Sequence, residues 1–193
     1  MNLSALSPVQ IAILIAVAVL LVASIAILFS IRKRKTERLR TQFGGAEYNR
    51  AVKEGGSRQK AEAVLDKRAD RVESFHIEPL GPGDRARFAE SWRRVQARFV
   101  DGPGGAVTEA DQLLRDVMST RGYPVSDFEQ RAADISVDHP LVLENYRAAH
   151  EIALRQMGGK ATTEDLRQAM VHYRTLFDEL VSAPERPLTK QAS

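Results

Sequence analysis

The sequence predicts an all-α protein in which one N-terminal transmembrane helix is followed by a soluble helical bundle of about five helices. Three observations support this fold class. Residues 11–29 form an apolar run whose only polar residue is Ser24, and apolar residues recur at helical spacing through the rest of the chain. No segment of useful length alternates apolar and polar residues as a strand would. Short loops separate the helical segments, so neighbouring helices should be mostly antiparallel.

The first element, residues 11–31, has the length of one membrane span. About 20 apolar residues in a helix cross a hydrocarbon core roughly 30 Å thick, because each residue rises about 1.5 Å. A cleaved signal peptide would carry positive charge before the apolar run, whereas residues 1–10 have no charged side chain. We therefore expect an uncleaved anchor, with residues 1–10 as a short extracytoplasmic tail.

A basic cluster follows the span and consists of Arg32, Lys33, Arg34 and Lys35. Positive charge is retained on the cytoplasmic side, which predicts an inner-membrane protein with its N-terminus outside and its soluble domain in the cytoplasm. The same side chains should contact anionic lipid. Removing these four cations from the net charge of +3 leaves −1 for all other residues. Since the positive charge is local, no nucleic-acid partner is expected.

Residues 32–57 are predicted to form a juxtamembrane neck. Two Gly-Gly pairs, at 44–45 and 55–56, indicate breaks and therefore a jointed segment rather than a rigid rod. The helical domain, residues 58–181, should begin at an N-cap on Ser57. Its first helix, 58–75, has only a narrow apolar stripe, so it should be mostly solvated, and the stripe could pair with a partner helix.

The remaining helices of the domain carry clearer apolar faces. In the helix near residues 84–100, with Asp84 as a possible cap, Phe88, Trp92, Val95 and Phe99 give the strongest core pattern. The next helix, near residues 106–121, should stop where Gly122 occupies the position after its C-cap and Pro124 prevents continuation.

Three further helix starts are predicted from capping residues. Ser126 and Glu129 fit a capping box for a short helix that ends near residue 135. Asp138 should cap a helix that reaches residue 157, with Pro140 in its first turn. Thr162, with an acidic residue three positions later, should cap the last helix. Residues 182–193 are expected to be a disordered tail.

The histidines are the main candidates for chemistry. We expect His139 to face solvent beside a capping Asp138; the alternative is an acid–base pair. His150 and His172 could approach each other, with Glu151 or Asp165, if their helices are adjacent, and would then form a small metal or acid–base site. One isolated Glu-x-x-His motif ends at His76. The chain has no cysteine, which excludes disulfides and thiolate chemistry. No catalytic, cofactor-binding or metal-binding residue is therefore assigned, and no cofactor is expected.

Several short segments resemble a family of bacterial single-span membrane proteins with a helical cytoplasmic domain. They are residues 98–100 (RFV), 121–124 (RGYP), 136–140 (SVDHP), 146–150 (YRAAH) and 163–174 (TEDLRQAMVHYR). This resemblance implies the architecture and a bacterial origin. Because the family has no established activity, the resemblance implies no reaction and no site residue.

Three functions fit these observations. The first is a non-enzymatic adaptor or accessory subunit that presents a helical interaction domain to the cytoplasm and binds a protein partner. The second is a hydrolase or metal-binding enzyme that uses the histidines of the C-terminal helices. The third is a structural protein that self-associates through the helix of residues 58–75. We expect the adaptor, because no catalytic motif is present.

Overall fold

The computed structural model describes residues 8–182, and the regular structure in this part of the chain is entirely α-helical. The all-α expectation is confirmed for these residues. The helices are α1 (Pro8–Gly55), α2 (Arg58–Glu73), α3 (Pro82–Arg98), α4 (Pro103–Thr120), α5 (Phe128–Asp138), α6 (Leu143–Met157) and α7 (Thr163–Ser182). Six helices therefore follow α1 where the sequence predicted about five. Most of the expected extracytoplasmic tail and of the expected disordered tail lies outside the described residues.

The first part of α1 is long and apolar enough to cross a membrane, by length and composition. Among residues 14 and 16–31, its large apolar side chains are 48–70 % exposed. Ser24, the only polar residue of the apolar run 11–29, donates a hydrogen bond to the carbonyl oxygen of Leu20 at 2.7 Å. Its hydroxyl is thus satisfied within the helix, as an apolar environment requires.

The second part of α1 contains the first predicted break. Gly44 has φ +71° and ψ 160°, so α1 is kinked there and the helix continues on the other side as far as Gly55. The left-handed φ favours glycine because it has no Cβ. Gly56, at φ +67°, forms the second break between α1 and α2.

The helix segments on both sides of this kink pack against α2, whereas the sequence predicted a jointed neck. A separate apolar cluster, here called the neck cluster, joins α1 to α2. It consists of Leu39, Phe43, Tyr48, Ala51, Ala61 and Leu65. As expected, α2 is largely solvated, since nine of its sixteen residues are exposed, and it buries only its narrow stripe against α1. Its partner helix belongs to the same chain.

The other helices share a second cluster, here called the main core, which lies mainly between α3, α4, α6 and α7. Trp92 of α3 is buried at 1 % exposure and stacks on Phe177 of α7, with ring centroids 4.8 Å apart. Phe88 and Val95 are also buried, whereas Phe99 packs at the edge. The stripe that the sequence singled out on α3 thus points into this core.

Several helix ends agree with the sequence. The Ser57 hydroxyl accepts a hydrogen bond from the Lys60 N–H at 3.3 Å. Thr162 Oγ1 accepts from the Asp165 N–H at 3.1 Å, and the Asp165 carboxylate accepts from the Thr162 N–H at 2.8 Å. Gly122, at φ +100°, follows the C-cap of α4 as expected. Its missing Cβ also leaves room for the carbonyl of His76, which approaches closely.

Two predicted capping arrangements around α5 are wrong. The N-cap is Asp127, which accepts from the Gln130 N–H at 2.9 Å, rather than Ser126 in a capping box. At the other end α5 continues through Asp138, and α6 begins only at Leu143, with no side-chain cap. Asp138 does not cap α6 because its carboxylate instead accepts a hydrogen bond from the Tyr123 hydroxyl at 2.8 Å.

The start of α3 also differs from the expected cap. Its N-cap position is Gly81, and Pro82 lies in the first turn. Pro82 fits there because the first N–H groups of a helix have no partner inside it. Asp84 lies within that turn and pairs with Arg87 at 2.6 Å rather than capping the helix.

Candidate functional site

His139 is buried, at 6 % exposure, so the expectation that it faces solvent is wrong. The reason is that it follows the last residue of α5 and packs between α4 and α7. Its Nδ1 lies 3.0 Å from Glu179 Oε1, and its Nε2 lies 3.5 Å from Arg121 Nη1. These two contacts assign a neutral imidazole that donates from Nδ1 to Glu179 and accepts at Nε2 from Arg121. Burial lowers the pKa of His139, although the hydrogen bond to Glu179 opposes this.

Arg121 connects this histidine to two other parts of the fold. Its Nη1 donates to the carbonyl of Leu180 at 3.0 Å, near the end of α7, and its Nε donates to the carbonyl of Glu78 at 3.3 Å. The N–H of Glu78 donates in return to the Arg121 carbonyl at 2.9 Å. The side chains of Arg121, His139 and Glu179, here called the His139 cluster, therefore hold helix ends together. Since both ring nitrogens of His139 are engaged, the ring has no lone pair directed at a substrate.

Each of the other three histidines contacts a different residue. His150 stacks on Phe128, with ring centroids 3.5 Å apart, and His172 Nδ1 lies 2.8 Å from Asn145 Oδ1. His76 is exposed on the connector after α2 and pairs with Glu78 at 2.8 Å.

The acidic candidates are separate too. Asp165 is held by Thr162 and by Arg155 at 3.1 Å, while Glu151 is exposed. Among residues 8–182, no group of three or more histidines and carboxylates is placed to hold a metal ion. The alternative of a metal site at His150 and His172 therefore has no counterpart among the described residues.

A buried ionic network was not predicted from the sequence. Glu47 of α1 is 2 % exposed; one carboxylate oxygen lies 2.6 Å from Arg68 Nη1 of α2 and 3.4 Å from Arg147 Nη2 of α6. Arg147 also lies 3.4 Å from Glu129 of α5. These four residues, here called the Glu47 network, connect α1 to helices that are far away in the sequence. The missed signal lies after the kink, where Glu47 precedes Ala51 by four residues and shares a face that is otherwise apolar.

Two surface concavities have a chemical character suited to binding. The first, called the α3–α7 groove, has a volume of about 350 Å³ and an apolar floor of Phe99, Met170 and Val171. Its rim includes Arg167 and Arg174. The Arg174 guanidinium lies over the Trp92 ring, 5.7 Å from the centroid, so it covers the edge of the main core.

The second concavity, called the α1–α2 cleft, has a volume of about 730 Å³. It lies where the apolar run of α1 ends and where α2 begins. Its lining residues are Phe29, Arg32, Lys33, Lys35, Thr36, Glu37, Arg58, Gln59 and Glu62. Three of the four predicted lipid-contacting cations therefore line this cleft, whereas Arg34 lies on another face of α1 with Ile27 and Ile31.

Comparisons with known proteins give no match to a family model, a curated protein or a solved structure. The resemblance to bacterial single-span membrane proteins therefore stays a prediction.

Proposed function

We propose that this protein is a single-pass, non-enzymatic adaptor of the bacterial inner membrane. Residues 1–10 would lie outside, and the helical domain would lie in the cytoplasm, where it binds a partner protein. The observation that carries this proposal is the continuity of α1, which leads from the exposed apolar run into the buried neck cluster. An anchor built in this way couples the domain to the membrane through a helix instead of a flexible tether.

The distance from the span to the domain is short. Leu39, fully buried in the neck cluster, follows Ile31 by eight residues, or about 12 Å along a helix. Beyond the kink, the Glu47 network fixes the same helix to α2 and α6. The domain is therefore held near the membrane surface with a defined face outward. Anchoring raises the effective concentration of this face towards partners in the same membrane.

The α3–α7 groove is the surface best suited to a protein partner. Val171 on its floor is 48 % exposed, and an apolar floor with a charged rim is the usual anatomy of a protein interface. The two charged residues that line the groove, Arg167 and Arg174, are both cationic. We infer that the partner offers an amphipathic helix with an apolar anchor and acidic flanks.

The other two functions receive less support from the described residues. An enzyme based on the histidines would need a ring nitrogen directed into a cavity, whereas both nitrogens of His139 are engaged by protein groups. Self-association through α2 would need an uncovered apolar stripe. The buried residues Ala61 and Leu65 of α2 instead pack against α1 of the same chain.

Membrane anchoring and topology can be tested directly because the chain has no native cysteine. Single cysteines would be placed at Ser4, before the span, and at Gln112, on the exposed side of α4 (S4C and Q112C). A membrane-impermeant maleimide should label S4C in intact spheroplasts and should label Q112C only after lysis. The protein should also stay in the membrane fraction at alkaline pH. The reverse labelling, or extraction by alkali, would contradict the proposed anchor.

The adaptor role is tested by crosslinking in native membranes. A photoreactive residue at Val171 should capture one recurrent membrane protein, identified by mass. The same residue at Leu141, which is 89 % exposed and lies outside the groove, provides the matched control. A Met170→Asp change in the groove should abolish capture. Equal capture from both positions, or none from Val171, would argue against the α3–α7 groove as the binding surface.

A further inference from the structure

We propose that the α1–α2 cleft binds the headgroup of an anionic phospholipid from the membrane that α1 enters. This inference rests on the membrane anchoring proposed above, but it does not depend on the partner protein. The sequence predicts only a basic cluster beside a span. The structure adds a concave site that selects some of these cations and combines them with residues of α2.

The cleft uses one face of α1. Phe29, Arg32, Lys33 and Thr36 all line it, and their spacing of three, four and seven residues places them on the same side of the helix. Phe29 extends this face into the apolar run and is 70 % exposed. Arg34 belongs to the same basic cluster but lies outside the cleft. The site therefore has an apolar end, where an acyl chain can lie, and a cationic end.

The second wall comes from the start of α2. Arg58 and Gln59 line the cleft from this side, more than twenty residues after the basic cluster. They belong to the first turn of α2, where the helix dipole is positive and favours an anion. The neck cluster fixes this turn against α1 through Ala61 and Leu65. The folded chain thus brings Arg58 to the cations that follow the span.

The charges that line the cleft favour an anion. Four cations and two carboxylates, Glu37 and Glu62, leave a net charge of +2. Glu62 is already hydrogen-bonded, because its Oε1 accepts from the Thr36 hydroxyl at 2.6 Å and from the Tyr48 hydroxyl at 2.9 Å. Lys35 pairs with Asp66 at 2.5 Å, which raises the pKa of the lysine and keeps it charged.

The remaining three cations of the cleft are available for a ligand. Within residues 8–182, Arg32, Lys33 and Arg58 form no ion pair. Two guanidinium groups and one ammonium group can together donate several charge-assisted hydrogen bonds to a phosphate. A phosphodiester with an attached acyl chain matches both ends of the site. A soluble phosphate would match only the cationic end.

The test uses the full chain in detergent micelles and native mass spectrometry. Phosphatidylglycerol should remain bound as a discrete adduct, whereas phosphatidylcholine at the same concentration should not. The double variant R32Q/R58Q should weaken phosphatidylglycerol binding about tenfold or more. Its matched control, R34Q/K67Q, loses the same charge from α1 and α2 at positions outside the cleft and should bind like the parent chain. Unchanged Trp92 fluorescence would show that both variants are folded.

Three results would overturn the proposal. Equal weakening in R34Q/K67Q would mean that only diffuse charge attracts the lipid. Equal binding of phosphatidylcholine would mean that the cleft does not recognise an anion. Displacement of phosphatidylglycerol by an equimolar amount of glycerol phosphate would mean that the ligand is a soluble phosphate. Each of these leaves the labelling and crosslinking outcomes unchanged, so failure of the lipid site is distinguishable from failure of the adaptor.

Discussion

The neck cluster and the main core of this protein both bury apolar side chains, but they differ in size and in the number of helices that contribute. The main core draws its buried side chains from five helices and from connectors such as those at Leu80 and Tyr123. The neck cluster has six buried residues from two helices. A cluster of this size removes little apolar surface from water, and so it contributes much less stability than the main core.

Ion pairs also attach α1 and α2 to the helices of the main core. Besides the Glu47 network, Arg71 of α2 lies 3.0 Å from Asp134 of α5, which is 2 % exposed. Ionic contacts of this kind give orientation more reliably than stability, because desolvation offsets much of their attraction. We therefore expect α1 to be docked on the domain in one defined geometry but with a small margin of stability.

The largest expected effect comes from the centre of the neck cluster. Phe43 is fully buried, and Phe43→Ala should destabilise the docking of α1 on α2 by about 3–5 kcal/mol, because it leaves a cavity. Since the cluster is separate from the main core, the loss should be local. Hydrogen exchange of the full chain in micelles should become faster for residues 39–65 and should stay unchanged for residues 88–118.

The matched control lies in the main core. Leu114 is also fully buried, and Leu114→Ala should cost about 2–5 kcal/mol. This loss should appear in the denaturation midpoint followed by fluorescence of Trp92, the only tryptophan. If Phe43→Ala shifts that midpoint as much as Leu114→Ala does, the two clusters unfold as one unit and the neck cluster is not energetically separate from the main core.

An intermediate effect is expected from the Glu47 network. Glu47→Gln removes the carboxylate that faces Arg68 and Arg147, and should cost about 1.5–3 kcal/mol in the docking of α1. The measurement is again the exchange rate of residues 39–65. Glu54→Gln is the control in the same helix, since Glu54 pairs with Arg50 at the surface, and it should cost at most about 0.5 kcal/mol.

An alternative outcome would be informative about the role of the network. Glu47→Gln could leave the exchange rates unchanged but broaden the distribution of orientations of the domain relative to α1. The network would then fix the orientation of α1 without adding stability. Distances between spin labels on α1 and α6 in Glu47→Gln would measure that breadth. Unchanged exchange together with unchanged distances would show that the neck cluster alone fixes α1.

The main core could be predicted from the sequence because its signal is periodic and local. Phe88, Trp92 and Val95 recur at helical spacing, and Gly122 marks a helix end by its conformational freedom. The neck cluster was missed because two Gly-Gly pairs indicate flexibility when only the chain's local preferences are considered. Burial of Leu39 and Phe43 comes from contacts with α2, and tertiary contacts of this kind override local preference.

The candidate sites also contain some features that local sequence patterns predict and others that depend on tertiary contacts. The basic cluster after the apolar run can be recognised in the sequence. Its division between the α1–α2 cleft and the face of Arg34 depends on where α2 packs. The environment of His139 was missed for a similar reason. Its two partners, Arg121 and Glu179, are 18 and 40 residues away, and no pattern within a single helix connects them.

The smallest expected effect concerns pH and the His139 cluster. Burial lowers the pKa of His139 below its ordinary value of 6.5, while Glu179 and Asp138 oppose the shift and Arg121 reinforces it. The unfolded chain therefore takes up a proton as the pH falls through 6.5, and the folded protein does so only at lower pH. The contribution of His139 to the free energy of unfolding should be complete above this pH and should decline below it.

The measurement is the denaturation midpoint followed by Trp92 fluorescence, at several values between about pH 8 and about pH 5. His139→Asn should reduce the loss of stability at low pH but should not remove it, because burial also lowers the pKa of His150. His76→Asn, at a histidine 93 % exposed, is the control for the substitution itself. A protein that gains stability as the pH falls from 6.5 would mean that attraction to Glu179 outweighs burial. His139 would then be an ion-pair partner that holds α5 to α7 only when protonated, and the main core would depend on charge as the neck does.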